Sequence, residues 1–224
     1  MESREIIASI HQIFDRFTII PNMREHMFRA GAATAYICDH WKGPPLNKDN
    51  MVATSLIHDL GNLAKMDFVN PKPIAMYGDE PLDYWKKVQA DTIQKYGSAD
   101  DHVVTRKMIH ELGVNARVTF LIENKEFINN DFVLASDDWE LKICTYADQR
   151  IGPYGVMSLE DRFKEVKERY AHRKNTSMTH PKVDLFIACS FKIEAQIAPL
   201  LDVPVSAITD AAIQPYIEMY RGSK

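Results

Sequence analysis

The stretch Met51-Val-Ala-Thr-Ser-Leu-Ile-His-Asp-Leu-Gly61 constrains this chain more than any other. Val52, Leu56 and Leu60 recur at helical spacing, so the run predicts a buried helix, and Gly61 predicts its stop. Neighbouring residues on a helix lie about 100° apart, so His58 and Asp59 straddle one inward direction. A carboxylate ionised in a core is costly unless a cation or hydrogen bonds compensate it. A divalent metal is the strongest answer, provided other parts of the chain bring ligands to the same place.

The remaining chain reads as helices. Residues 3–17 carry Ile6, Ile7, Ile10, Ile13, Phe14 and Phe17 on one stripe. Asn22 and Glu25 form a capping-box pattern for a helix over about 22–41, whose inward face includes Met23, His26, Ala30, Ala33 and Ile37. Asn47 is placed to cap the helix that carries His58 and Asp59. Further helices are predicted at about 80–96 and 101–112, from Asn115 to about 122, and at 136–149. A charged, surface-lying helix is expected from Ser158 to about 173, a longer one from His180-Pro181 to about 201, and a last one from Ser206 or Thr209. No segment alternates as a strand between hairpin turns, and the fold class is all-α.

His26 and Asp148 are two more polar groups on apolar stripes: Leu141, Cys144 and Asp148 follow i, i+3, i+7. Alone, His26 reads as a hydrogen-bonded core histidine and Asp148 as a helix-end residue paired with Arg150. Together, His26, His58, Asp59 and Asp148 are hard to satisfy separately, because each needs its own buried partners. Two imidazoles and two carboxylates suit Mn, Fe, Co, Ni or Zn as a divalent ion, and Mg is retained as a further choice.

The surrounding words are Arg24-Glu25-His26, Leu56-Ile57-His58-Asp59-Leu60-Gly61 and Tyr146-Ala147-Asp148-Gln149-Arg150. This pattern resembles the HD-domain superfamily of metal-dependent phosphohydrolases over about residues 20–152. The resemblance implies an all-helical HD-type bundle with His26, His58, Asp59 and Asp148 on one divalent metal ion. Residues 153–224 are then a helical extension packing on that core within a single domain. The implied activity is hydrolysis of a phosphate ester of a nucleotide or other small phosphorylated metabolite by a metal-activated water. The alternatives are a (p)ppGpp-type pyrophosphohydrolase and a non-catalytic, metal-stabilised binding module. Some relatives carry Glu three residues after the His-Asp pair; here that position is Asn62, which leaves Asp59 or another residue as base. Dinuclear relatives add two histidines. His102 and His110 are candidates, but their separation along one helix, about 12 Å, keeps them from sharing a site, and Glu123-Asn-Lys-Glu126 holds no histidine. One ion is expected.

Arg29, Lys65 and Arg150 lie close in sequence to the ligands and are candidates to hold phosphate charge; the plain alternative for each is a solvated surface charge. Residues 62–79 lose hydrophobic pattern and, with the helix that follows, are expected to act as lid and specificity region. The net charge of −4 gives no argument for nucleic acid or an anionic membrane. Three separated cysteines fit a reducing, cytoplasmic setting, and neither a signal-peptide pattern nor a membrane span is legible. The helix of about 181–201 either closes the bundle or forms a homodimer face.

Overall fold

The computed structural model describes residues 1–68, 77–171 and 177–222. Among the described residues there are twelve α-helices, a few short 3-10 turns and no strand. In order they are α1 (Ser3–Ala8), α2 (Ile10–Arg16), α3 (Pro21–Asp39), α4 (Lys48–Ile57), α5 (Leu82–Tyr96), α6 (Asp101–Leu112), α7 (Ala116–Asn124), α8 (Asn130–Ala135), α9 (Trp139–Gln149), α10 (Leu159–Tyr170), α11 (Val183–Ile197) and α12 (Asp210–Gly222). One hydrophobic cluster runs from Ile6 in α1 to Tyr220 in α12. None of these helices is long and apolar enough to cross a membrane.

The centre is the α3–α4 hairpin. Thr34 Oγ1 lies 2.7 Å from Ser55 Oγ, and Cys38 Sγ lies 3.7 Å from Met51 Sδ. Residue numbers rise along one helix as they fall along the other, so the two run antiparallel. Ala30, Gly31, Ala32, Ala33 and Ala35 are buried and let the helices approach closely. A Cβ on Gly31 would stand only 2.8 Å from Leu56 Cδ2. This close antiparallel packing carries His26, early in α3, toward His58 at the end of α4. Helix α9 packs against both and contributes Asp148 in its last turn. Helix α12 covers α3, while α11 packs on α8 and α9.

Many helix boundaries follow their signals. Asn47, Asp100, Asn115 and Ser158 cap α4, α6, α7 and α10 by accepting a backbone N–H three residues on. Gly97 and Gly113 end α5 and α6 in the left-handed conformation, with φ of 65° at each.

Other boundaries differ, each for a local reason. The expected helix over 3–17 is broken at Ser9, whose hydroxyl donates back to the Glu5 carbonyl at 2.5 Å and competes with the helical ladder. Helix α3 starts at Pro21, whose ring presets φ at the first helical position. The Asn22–Glu25 box does not form: Asn22 Oδ1 has no partner among the described residues, and Glu25 pairs with Arg221 across the bundle. The expected helix over 136–149 begins instead at Trp139, because Asp138 accepts from Leu141 N as its cap. Gly61 is not a left-handed stop, since its φ is −84°. It is a point of close approach: a Cβ there would lie 2.5 Å from both Asp101 O and Thr105 N on α6. Helix α10 is not merely a surface helix, because Leu159, Phe163 and Val166 are buried.

Candidate metal centre

His58 sits at the C-terminal cap of α4, with Asp59 in the turn that follows. The His58 Nδ1 lies 2.9 Å from the Ser55 carbonyl oxygen. That oxygen can only accept, so Nδ1 carries a proton, and in the neutral ring Nε2 keeps its lone pair. Nε2 is buried and, among the described residues, has no hydrogen-bond partner. Around it stand the His26 ring, 5.3 Å away between centroids, and two carboxylates. Asp148 Oδ1 lies 3.1 Å from Nε2 of both His26 and His58, and Asp59 Oδ2 lies 3.8 and 3.7 Å from the same two atoms.

Converging lone pairs of this kind repel one another unless a cation takes the space between them. The ligand atoms of His26, His58 and Asp148 all lie within 4.8 Å of one another and could hold a metal ion. The donor set fits a divalent ion on the chemistry of its atoms, and the orphaned Nε2 of His58 is the sharpest sign of that fit.

The electrostatics couple the same groups. Burial resists ionisation of Asp148, yet Lys125, His58 and His26 hold its carboxyl well below the ordinary range. Burial also works against the Asp59 carboxylate, but His58, Lys65 and His26 outweigh it and bring its pKa down to about 2. For His58, burial and Lys125 oppose the charged ring, while Asp148 and Asp59 overcome them and raise its pKa. Each group is thus tuned by the others.

Lys125, just past α7, was invisible as a site residue in the sequence. It is 6% exposed, and its Nζ donates to Asp148 Oδ2 at 2.8 Å. One oxygen of Asp148 therefore faces the histidines and the other a buried ammonium. Asn62 donates through Nδ2 to Asp59 Oδ2 at 3.1 Å.

The cluster opens onto a cavity of about 310 Å³. Lys65 and His102 reach it, together with Lys125, Glu126, Arg162 and Arg169. Lys65 also donates to Asp101 Oδ2 at 2.5 Å. His102 Nδ1 lies 3.1 Å from Glu126 Oε1. Burial raises the Glu126 carboxyl, and His102 and Arg106 counter only part of that rise. The apolar lining includes Met23, Ile122, Phe127, Phe163 and Val166.

Two expected phosphate-binding residues lie elsewhere. Arg150 is 4% exposed and fully engaged. Its guanidinium donates to the carbonyls of Met157, Val205 and Ile208 and to Tyr146 Oη, so it ties α9 to the C-terminal segment. Arg29 is half-buried on α3 and does not line the cavity. His110 is exposed at the far end of α6 and is also absent from the lining. Of the expected lid, Asn62, Lys65 and Met66 line the cavity. Residues 69–76 lie outside the described residues. No residue of α5 reaches the lining; instead Gln89 holds the carbonyls of Leu63 and Met66, each at 2.8 Å.

Arg162 and Arg169 had a readable signal that the charge density of their helix obscured. Leu159, Arg162, Phe163, Val166 and Arg169 follow helical spacing, so both arginines share the inward face with the apolar residues. Comparison with known protein families, curated proteins and solved structures gives no match for this chain.

Proposed function

We propose that this protein is a metal-dependent phosphohydrolase of the HD type, acting on a phosphate ester of a nucleotide or another small phosphorylated metabolite. One observation carries the reading. Asp148 Oδ1 stands 3.1 Å from two imidazole Nε2 atoms, one of which has its other nitrogen committed to the Ser55 carbonyl. Such a group is built to hold a divalent cation, and it opens directly into a cavity lined by cationic side chains.

His26, His58 and Asp148 hold the ion in this reading, with Asp59 as the fourth ligand. When bound, a divalent ion supplies Lewis acidity toward a phosphoryl oxygen and lowers the pKa of water. Lys125 fixes Asp148 by holding the oxygen turned away from the histidines. Asn62 steadies Asp59 differently, by donating to Oδ2, the oxygen that itself faces the histidines. Asp59 is a weak candidate for proton transfer, since a carboxyl with a pKa of about 2 is a poor base near neutrality. The Glu126–His102 pair suits that task better. It lines the same cavity, its members are 3.1 Å apart, and burial raises the carboxyl. Lys65, which lines the cavity and whose charge reaches Asp59, supplies positive charge toward phosphate. The apolar lining excludes water and receives the part of the substrate that is not phosphate.

The test is metal analysis of the purified protein, then hydrolysis assays on nucleotide and sugar-phosphate panels with Mn, Fe, Co, Ni, Zn and Mg in turn. Metal-dependent release of phosphate from at least one ester is expected. A protein that holds its metal but hydrolyses nothing would abandon the enzyme reading in favour of a metal-stabilised binding module.

A further inference from the structure

The outer wall of the cavity holds a charged arrangement that the metal centre does not use. Arg162 and Arg169 lie two turns apart on one face of α10, and both line the cavity. Glu165 stands between them. Its Oε2 accepts from Arg162 Nη1 at 2.6 Å, and its Oε1 lies 2.7 Å from Arg169 Nε. One carboxylate thus orients two guanidiniums and neutralises only one of them.

The Arg162 side chain is 18% exposed, and its Nε is buried with no hydrogen-bond partner among the described residues. An unpaired buried donor on a cation is costly, so native structures seldom keep one without a use. Burial and the neighbouring Arg169 both work against the charge on Arg162, as expected where an anion is missing from the set. Arg162 and Asp148 line the same cavity, and their charges interact across it. Between the arginines the same helix face offers Phe163 and Val166 as an apolar surface.

We propose that Arg162 and Arg169 form an oxyanion subsite, preset by Glu165, that grips the phosphate of the ligand while its apolar portion rests against Phe163 and Val166. The choice of phosphate rests on the phosphohydrolase reading; the presence of an anion subsite rests on the arginines themselves. Guanidiniums suit this role because their planar forks match tetrahedral oxyanions with paired donors.

The experiment is calorimetric titration of the metal-containing protein with inorganic phosphate, for the wild type and for Arg162→Met and Arg169→Met, with metal content and melting temperature measured on each. Phosphate should bind the wild type. Both variants should weaken binding tenfold or more while metal content stays unchanged. If Arg162→Met does not fold, the more exposed Arg169 decides the matter alone. Wild-type affinity in the folded variants, or no phosphate binding by the wild type, would overturn the subsite. The two readings fail separately. Binding that depends on these arginines without hydrolysis of any ester removes the phosphohydrolase and keeps the subsite. Hydrolysis with binding indifferent to both arginines does the opposite.

Discussion

The floor and the outer wall of the cavity are built on different physics. The floor comes from α3, α4 and α9, and its polar groups are rigid because neighbours on the same framework hold them: Ser55 fixes His58, Lys125 fixes Asp148 and Asn62 fixes Asp59. The wall comes from α10, where, among the described residues, long flexible arginines share one carboxylate on their own helix. A metal needs ligands fixed to within tenths of an ångström, whereas an anion is caught well by charges that adjust. The floor therefore suits a small ion and the wall a larger, variable ligand.

The most severe break of the floor is removal of a ligand. His58→Ala and Asp59→Ala should each lower metal content from about one ion per chain to a small fraction, with loss of any hydrolytic activity. Metal analysis of the folded variants checks this, and wild-type content in both would remove the centre as described. Next in size is Arg150→Met, which strands the carbonyls of Val205 and Ile208 and leaves Glu194 without its cation at 3.7 Å. A loss of about 3 kcal/mol in denaturant unfolding is expected, because one partner of a buried charged network is removed. Metal per folded chain should be unchanged, which would separate a strut from a site residue.

Asp138 offers a smaller test of how firmly the floor is anchored. It caps α9 and takes a bidentate pair from Arg117, with distances of 2.6 and 2.7 Å. Burial pushes its carboxyl up, but Arg117 and the Leu141 amide prevail and hold it below the ordinary value. A depressed carboxyl adds stability above its unfolded pKa of about 3.9, and that stability is lost as pH falls toward the folded pKa. Asp138→Ala should cost about 2 kcal/mol at pH 7. The gap from wild type should shrink below about pH 4, as unfolding curves across pH would show.

Between floor and wall stands Lys65, which lines the cavity yet is already paired with Asp101. Lys65→Ala should leave metal content intact and lower kcat/KM by tenfold or more, about 1.4 kcal/mol of transition-state binding. Unchanged kinetics would make it a partner of Asp101 alone. The smallest effect belongs to Arg29→Ala. It should change stability by no more than about 0.5 kcal/mol and leave kinetics untouched, since Arg29 does not line the cavity.

The helical class, the caps at Asn47, Asn115 and Ser158, and the inward placement of His26, His58 and Asp148 were legible in the sequence alone. Each depends on periodicity or on hydrogen bonds spanning a few residues, and such interactions are written locally. The meeting of those three residues was legible only as an inference from their shared burial. What decides it is the close approach at Gly31 and the antiparallel hairpin. Lys125 could not be found in advance, because a lysine at a helix end looks the same whether it meets solvent or Asp148. Arg150 was misjudged for the converse reason. Its neighbour Asp148 pointed to the site, while its true partners lie at Met157, Val205 and Ile208. A long side chain chooses among partners brought near by distant segments, and only the folded chain determines which segments those are.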